Sequence, residues 1–268
     1  MPIPIALTIA GSDSGSGAGI QADLKTFAAL GVYGTSVITA LTAQNTHEVR
    51  AVHPVPVPFI LQQLETVFDD LAISTVKTGM LGGADVVEAI ADFLEQQPGI
   101  KLVVDPVMLS KSGRALLKAG AVNALVDKLL PLTTLITPNL PEAAVLLGCE
   151  EPDDLAGMIK IARDLKALGP ERVLLKGGHL ASNQSPDVFF DGVQCLTLNT
   201  ARINTKNTHG TGCTLASAVA ALLARGETPV AAVKQAKAYI SGAIIGADSL
   251  DVGSGHGPLH HFHALWPQ

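Results

Sequence analysis

One cysteine stands at the start of a long alanine-rich segment, directly after a glycine-rich turn. The sequence reads NTHGTGCTLASAVAALLARG, in which Cys213 follows Gly210, Thr211 and Gly212. The run after it favours a helix, whose first amides have no intrahelical partner. A helix start suits an anion, and its field lowers the pKa of a nearby thiol. We therefore expect an anion site there, with Cys213 holding or sharing a proton. The alternative is a small buried core residue.

Polar residues end several segments that resemble buried strands. Asp105 follows an apolar run, Asn139 and Glu142 form an N-x-x-E pattern after another, and Lys176 emerges beside two glycines. Carboxylates without matching arginines suggest Mg²⁺ held partly through water, and the lysine suits a phosphate. With the helix-start anion site, these are the parts of phosphoryl transfer. Asn139 alone is better explained as a helix N-cap, with Pro141 in the first turn.

Two further motifs carry weaker signals. The segment GSDSGSGAG matches neither P-loop nor dinucleotide-binding spacing, so it is either a strand-to-helix turn or a loop that closely approaches a ligand. The tail GHGPLHHFHALW holds four of the eight histidines. Their spacing matches no metal motif, so we interpret them as a packed or capping tail.

The elements that must position these residues alternate between strand-like and helix-like segments. Parallel strands are predicted at residues 3–10, 35–43, 76–81, 101–106, 134–139 and 172–178. An antiparallel pair is predicted at 186–192 and 193–200, and helices at 20–30, 58–71, 86–94, 212–225 and 229–247. Each of the last three parallel strands is expected to be followed by a loop and a helix. This alternation predicts one α/β domain over residues 1–268, doubly wound, with a mostly parallel sheet and helices on both faces.

In such a sheet, ligands bind beyond the carboxyl ends of the strands. This rule brings together the unusual residues, which we expect to face one cleft with the glycine-rich segment: Gln44, Met80, Asp105, Asn139, Glu142, Lys176 and Cys213.

Composition excludes several classes of partner. The 268-residue chain is 47% hydrophobic and 16% charged, with a net charge of −6 and no basic block, so nucleic acid and anionic membranes are poor partners. No segment resembles a targeting signal, and apolar runs are interrupted well before the roughly 18 residues that a membrane span needs. The three cysteines show no metal-type spacing. A reduced, cytoplasmic protein is expected.

The motifs HGTGC, TPNLPE and LLKGGH resemble the ribokinase superfamily, and within it the hydroxymethylpyrimidine/phosphomethylpyrimidine kinases of thiamine biosynthesis. The resemblance covers essentially the whole chain. Where that superfamily usually has a catalytic aspartate, this chain has Cys213, a departure shared with the pyrimidine kinases and some pyridoxal kinases. The resemblance implies a ribokinase-like fold, ATP and Mg²⁺, a homodimer and two successive phosphorylations. The first would be of 4-amino-5-hydroxymethyl-2-methylpyrimidine and the second of its monophosphate.

The same resemblance implies roles for individual residues. Cys213 would be the catalytic residue, with Gly210, Thr211 and Gly212 as the anion hole. Gln44 would hold the pyrimidine, because its amide offers both a donor and an acceptor to an aminopyrimidine edge. The other implied residues are Asp105, Asn139 and Glu142 for Mg²⁺ and phosphates (Asp105 and Glu142 as metal ligands, partly through water), Lys176 for the ATP phosphates, and Asp23, Met80 and Val107 for the pocket lining.

Three alternatives remain open on the sequence. A pyridoxal kinase of the same superfamily would share the cysteine and accept a related ring. A thiol hydrolase would use Cys213 with His209 and need no nucleotide. A non-catalytic sensor of a thiamine precursor would keep the site without its chemistry, although intact Cys213, Lys176 and Glu142 together count against it.

Overall fold

The chain folds around one mixed β-sheet, and the computed structural model describes residues 2–108, 117, 120–180 and 183–266. The strands are β1 (Ile5–Asp13), β2 (Tyr33–Gln44), β3 (Val49–Pro54), β4 (Thr75–Thr78), β5 (Lys101–Val104), β6 (Leu135–Ile136), β7 (Val173–Lys176), β8 (Asp187–Phe190) and β9 (Cys195–Leu198). Within the described residues these nine strands are ordered β3-β2-β1-β4-β5-β6-β7-β8-β9. Six adjacent strands are parallel, namely β2, β1, β4, β5, β6 and β7. The strands β3, β8 and β9 are antiparallel additions at the two edges.

Helices cover both faces of this sheet. They are α1 (Gly19–Ala29), α2 (Val57–Asp70), α3 (Ala84–Glu95), α4 (Ala121–Ala124), α5 (Leu140–Leu147), α6 (Leu155–Lys166), α7 (Thr211–Ala224) and α8 (Pro229–Ile245). Alternate residues of β1 enter different cores: Leu7 belongs to the core that includes residues of α2, α3, α5 and α6, whereas Ala6 belongs to the core that includes residues of α1, α7 and α8. A strand with two buried faces is typical of a parallel sheet covered on both sides. The predicted doubly wound α/β fold is confirmed.

Helix α7 is the element that carries the glycine-rich turn into the centre of the molecule. All ten residues from 214 to 223 are buried, as expected for a helix that is apolar all round. It packs on β1, β4 and β5 on one side and on α8 on the other. Its first turn is therefore held at the carboxyl ends of the parallel strands. Among the described residues, none of the helices is both long and apolar enough to cross a bilayer.

The structure differs from the sequence predictions at three places. Strand β1 continues beyond residue 10, because Ser12 and Asp13 pair with Leu41 and Thr42 after a bulge. The edge strand β3 was not predicted, since it is mostly exposed and shows no clear apolar alternation. Strand β7 is followed by β8 and not by a helix. The predicted antiparallel pair, β8 and β9, is confirmed.

Candidate active site

A cleft of about 1040 Å³ opens beyond the carboxyl ends of the parallel strands. Its size is at the upper end of the range for small-molecule sites. The predicted site residues that line it are Gln44, Met80, Asp105, Val107, Asn139, Glu142, Lys176, Gly210, Thr211, Gly212 and Cys213. The strand-end rule thus brings these residues together as expected, although they are scattered along most of the chain.

The turn before α7 can be made only with glycine. Gly210 is the N-cap of α7 and has a φ of 83°. A Cβ atom at this position would lie 1.9 Å from the carbonyl oxygen of Gly17. Both the left-handed backbone and this close approach exclude a side chain. The turn consequently presents the start of α7, at Gly212 and Cys213, to the cleft, where unpaired amides favour an anion.

The thiol of Cys213 has a raised pKa of about 12. Burial is the largest cause, and the negative charges of Asp105 and Asp23 add to it. The ammonium of Lys77 and a hydrogen bond with the backbone of Gly19 act in the opposite direction. The prediction that the pKa of this thiol is lowered is therefore wrong, because burial and the nearby carboxylates outweigh the groups that lower it. At neutral pH the resting protein holds a protonated thiol.

A lysine and two carboxylates form the charged part of the cleft. The Nζ atom of Lys176 lies 2.9 Å from Oδ1 of Asp105 and 3.9 Å from Oε2 of Glu142. Although burial favours a neutral amine, these two carboxylates outweigh it and raise the pKa of Lys176. Burial also raises the pKa of Glu142 to about 7, with Lys176 opposing and Asp105 adding to the shift. Lys176 is thus a fixed positive charge and not the surface lysine that is common in proteins.

Asn139 and Glu142 build the start of α5. The side-chain oxygen of Asn139 accepts from the backbone N–H of Glu142 at 2.8 Å, and Oε2 of Glu142 accepts from the N–H of Asn139 at 2.8 Å. This reciprocal pair is a capping box. It confirms the N-cap that the sequence pattern favours for Asn139, and it fixes the Glu142 carboxylate at the cleft.

The carboxylates fit a hard cation such as Mg²⁺. The second oxygen of Asp105, Oδ2, is buried and has no hydrogen-bond partner among the described residues. It is close to the helix start, since a Cβ on Gly212 would lie 3.6 Å from it. No group of three or more histidine, cysteine or acidic side chains in the described part of the chain could hold a metal alone. A cation here would therefore take further ligands from phosphates and water, as Mg²⁺ commonly does.

Asp23, predicted to line the pocket, lies outside the cleft lining in the described structure and is fully buried. Its carboxylate is 2.9 and 3.0 Å from Nζ of Lys77, which is also fully buried. It also accepts from the hydroxyls of Thr8 and Ser217, each at 2.6 Å. This arrangement satisfies both charges inside the protein. The signal that was missed is a lysine in the middle of a short, wholly buried strand, β4.

Sequence reasoning also missed Asp13 and the position of His209. The carboxylate of Asp13 accepts from three backbone amides of residues 15–18 and lies 2.8 Å from Nε2 of His209. Burial alone would raise the pKa of Asp13, but these partners hold it below its usual value. The His209 ring also lies 3.1 Å from the amide of Gln44. His209 is thus engaged with both Asp13 and Gln44 at the end of β2.

Part of the histidine-rich tail packs against the protein as predicted, whereas His256 is exposed. His260 and His261 are buried, and Nε2 of His261 lies 3.0 Å from the hydroxyl of Thr214 in α7. Burial, with the charge of Lys25 adding to it, lowers the pKa of His261 to about 3. This ring is therefore neutral and closes the core behind the first turn of α7.

The fold and the cleft define a class, the small-molecule kinases built on a doubly wound α/β sheet. The pyridoxal kinase of Staphylococcus aureus, solved in complex with AMP-PCP and pyridoxal, has a TM-score of 0.90 with 35% identity, over 98% of this chain and 95% of that chain. The family model for phosphomethylpyrimidine kinase matches residues 13–260. The chain belongs to this family.

Two relatives carry the family's activity in their names. The hydroxymethylpyrimidine/phosphomethylpyrimidine kinase of Rhizobium meliloti is 53% identical over 262 residues, which is 98% of each chain. The solved phosphomethylpyrimidine kinase of Clostridium difficile is 43% identical with a TM-score of 0.80, over 91% of this chain and 100% of that one. The family resemblance of the sequence motifs is confirmed.

Proposed function

We propose that this protein is an ATP-dependent kinase of thiamine biosynthesis. It transfers a phosphoryl group to the hydroxymethyl group of 4-amino-5-hydroxymethyl-2-methylpyrimidine, and then a second one to the resulting monophosphate. The observation that carries the proposal is the meeting, in one cleft, of Gln44, the start of α7 and the Lys176–Asp105 pair. An amide for the ring, a helix start for an anion and a largely buried cation suit successive phosphoryl transfers. The names of the relatives support the same assignment.

On the phosphate side of the cleft, positive charge is already in position before the phosphoryl group is transferred. Lys176 is held by Asp105 and Glu142, so its ammonium needs little reorganisation when charge develops on the transferred phosphoryl group. The amides of residues 210–212 are proposed to form the anion hole beside it. Asp105 and Glu142, directly or through water, are proposed to hold Mg²⁺, which when bound would neutralise phosphate charge. Asn139 holds Glu142 in place through the capping box.

Cys213 is proposed as the proton acceptor for the first transfer. Only the thiolate can accept a proton, and the raised pKa makes that form scarce at neutral pH. A thiolate with a pKa of about 12 is, however, a much stronger base than an ordinary cysteine. In a loose transition state the alcohol proton leaves late, so little deprotonation is needed until the new bond is largely formed.

The direct test compares two rings. A solved structural neighbour binds pyridoxal, so a pyridoxal kinase activity is the second candidate function. We expect kcat/KM for the hydroxymethylpyrimidine to exceed that for pyridoxal by about tenfold or more, because one well-placed buried hydrogen bond is worth about 1–3 kcal/mol. A preference for pyridoxal would overturn the proposal.

Gln44 should select the ring. Replacing Gln44 with leucine leaves polar groups of the bound pyrimidine without partners, which costs about 1–3 kcal/mol. We expect KM for the pyrimidine to rise and KM for ATP to change little, measured by steady-state kinetics with each substrate varied. An equal loss for both substrates would make Gln44 a structural residue.

Glu142 should act through the metal. Glu142→Gln keeps a side-chain oxygen for the capping box but removes the charge. We expect the Mg²⁺ concentration for half-maximal rate to rise about tenfold, as is typical when groups around a metal are altered. Glu88→Gln, at an exposed position in α3, is the matched control. An unchanged Mg²⁺ profile with a lower Tm would assign Glu142 to helix capping alone.

We further propose that residues 1–268 form a single domain, that the protein is a homodimer, and that it is cytoplasmic. One continuous sheet from β3 to β9 supports the single domain. The homodimer follows from the family resemblance, and sedimentation equilibrium tests it. The cysteines of the chain, all of which the structure describes, are unpaired, which suits a reducing compartment.

A further inference from the structure

The amide of Gln44 lies between two side chains that each have a second partner. Its Nε2 atom is 3.1 Å from Nε2 of His209, and its Oε1 atom is 3.3 Å from the hydroxyl of Thr42. The same His209 nitrogen lies 2.8 Å from Oδ2 of Asp13. The hydroxyl of Thr42 donates to the carbonyl oxygen of Ser12 at 2.9 Å. The orientation of the amide is therefore tied to where the protons of its neighbours lie.

Asp13 determines that Nε2 of His209 carries a hydrogen. Its carboxylate already accepts three backbone N–H groups from residues 15–18, at 2.8, 3.2 and 2.9 Å. An ionised carboxylate is an acceptor only, so a ring nitrogen 2.8 Å from it must carry a hydrogen. Nε2 of His209 is thus a donor, whether or not Nδ1 is also protonated.

A donor at Nε2 of His209 conflicts with the amide nitrogen of Gln44 next to it. The single hydroxyl proton of Thr42 is used on Ser12, so its oxygen is an acceptor toward Gln44. Exchanging the amide oxygen and nitrogen of Gln44, which leaves the shape of the side chain unchanged, resolves both conflicts. The oxygen then shares the proton of His209 with Asp13, and the nitrogen donates to Thr42.

We infer that Asp13, through His209, holds the Gln44 amide in this single orientation, which makes His209 a specificity-determining residue for the ring. The inference rests on the proposed pyrimidine site. One lone pair and one N–H of the amide are used inside the protein. The second lone pair and the second N–H therefore face the cleft, with the acceptor and the donor in fixed positions. This fixed arrangement of acceptor and donor matches the ring nitrogen and amino group of the aminopyrimidine edge better than the edge of a pyridoxal ring. A freely rotating amide would accept both.

The position of the His209 ring is built into the surrounding backbone. A Cβ atom on residue 17 would lie 2.4 Å from Cδ2 of this ring, so the ring needs glycine at that position. The backbone N–H of His209 donates to the carbonyl oxygen of Gly257 at 3.1 Å, which ties the residue to the C-terminal tail. The ring is largely buried, with a side-chain exposure of 13%. His209 therefore joins the glycine-rich segment, the end of β2 and the turn before α7.

The kinetic test uses His209→Phe, which keeps a ring of similar size but removes the N–H donor. We expect kcat/KM for the hydroxymethylpyrimidine to fall about tenfold relative to that for pyridoxal, with KM for ATP nearly unchanged. His53→Phe, at an exposed position on β3, is the matched control and should leave the ratio as it is. An unchanged ratio in His209→Phe would overturn the inference.

A double variant shows whether His209 acts through Gln44. If it does, adding His209→Phe to Gln44→Leu should produce little further loss of kcat/KM. A full additional loss would mean that His209 contacts the substrate directly, which contradicts the positioning role.

A spectroscopic test needs no substrate. Nitrogen-15 NMR of the whole protein should show Nε2 of His209 protonated, and Asp13→Asn should remove this preference. An Nε2 without a proton in the unaltered protein would overturn the inference, whatever the substrate is. If instead the NMR result is as expected and the pyrimidine is not phosphorylated, the proposed function fails on its own.

Discussion

Replacing Cys213 with alanine should slow the first phosphorylation by about two to four orders of magnitude, the range typical of a lost general base. The first acceptor is an alcohol, whose proton must leave as the new bond forms. The second acceptor is a phosphate monoester with a second pKa of about 6, so at neutral pH it is mostly dianionic and has no proton to lose. We therefore expect a clearly smaller loss in the second step, measured separately with the alcohol and with the monophosphate.

The dependence on pH sharpens this prediction. Because burial raises the thiol pKa to about 12, the thiolate fraction increases as pH rises across the neutral and mildly alkaline range. The first phosphorylation should accelerate with pH in the unaltered protein and lose that acceleration in Cys213→Ala. Cys149→Ala, at an exposed cysteine, is the matched control. Equal losses in both steps, with no change in the pH profile, would mean that Cys213 shapes the anion hole and moves no proton.

Replacing Lys176 with methionine should lower kcat for both phosphorylations by about two to three orders of magnitude, the usual cost of one preorganised group that stabilises transition-state charge. Charge develops on the transferred phosphoryl group in each step, so both should suffer alike. The change also leaves the carboxylates of Asp105 and Glu142 without their shared cation. Their repulsion would then oppose any anion entering the cleft.

The control for this variant is Lys160→Met, which removes an exposed lysine that pairs with Asp164 in α6. Exposed pairs of this kind contribute little, so we expect its kinetics to match those of the unaltered protein. A rise in KM for ATP with unchanged kcat in Lys176→Met would show that Lys176 binds ground state and transition state equally. That result would contradict its role in the chemical step.

The sequence by itself determined where the chemistry lies. The alternation of apolar strand and helix patterns is a local property. It predicted a doubly wound sheet in which the carboxyl ends of the parallel strands lie side by side. Asp105, Lys176 and Gln44 could therefore be placed in one cleft, because each stands at the end of such a strand. The N-cap at Asn139 was also predictable, since its partner is three residues away.

Only the tertiary structure decided the charges and partners inside the site. The buried pair of Asp23 and Lys77 joins residues 54 positions apart, and His209 meets Asp13 across 196 positions. No local pattern contains either contact. The thiol pKa of Cys213 was predicted in the wrong direction for the same reason. A helix start is visible in the sequence, whereas burial and the charges of distant residues add together only after the chain has folded.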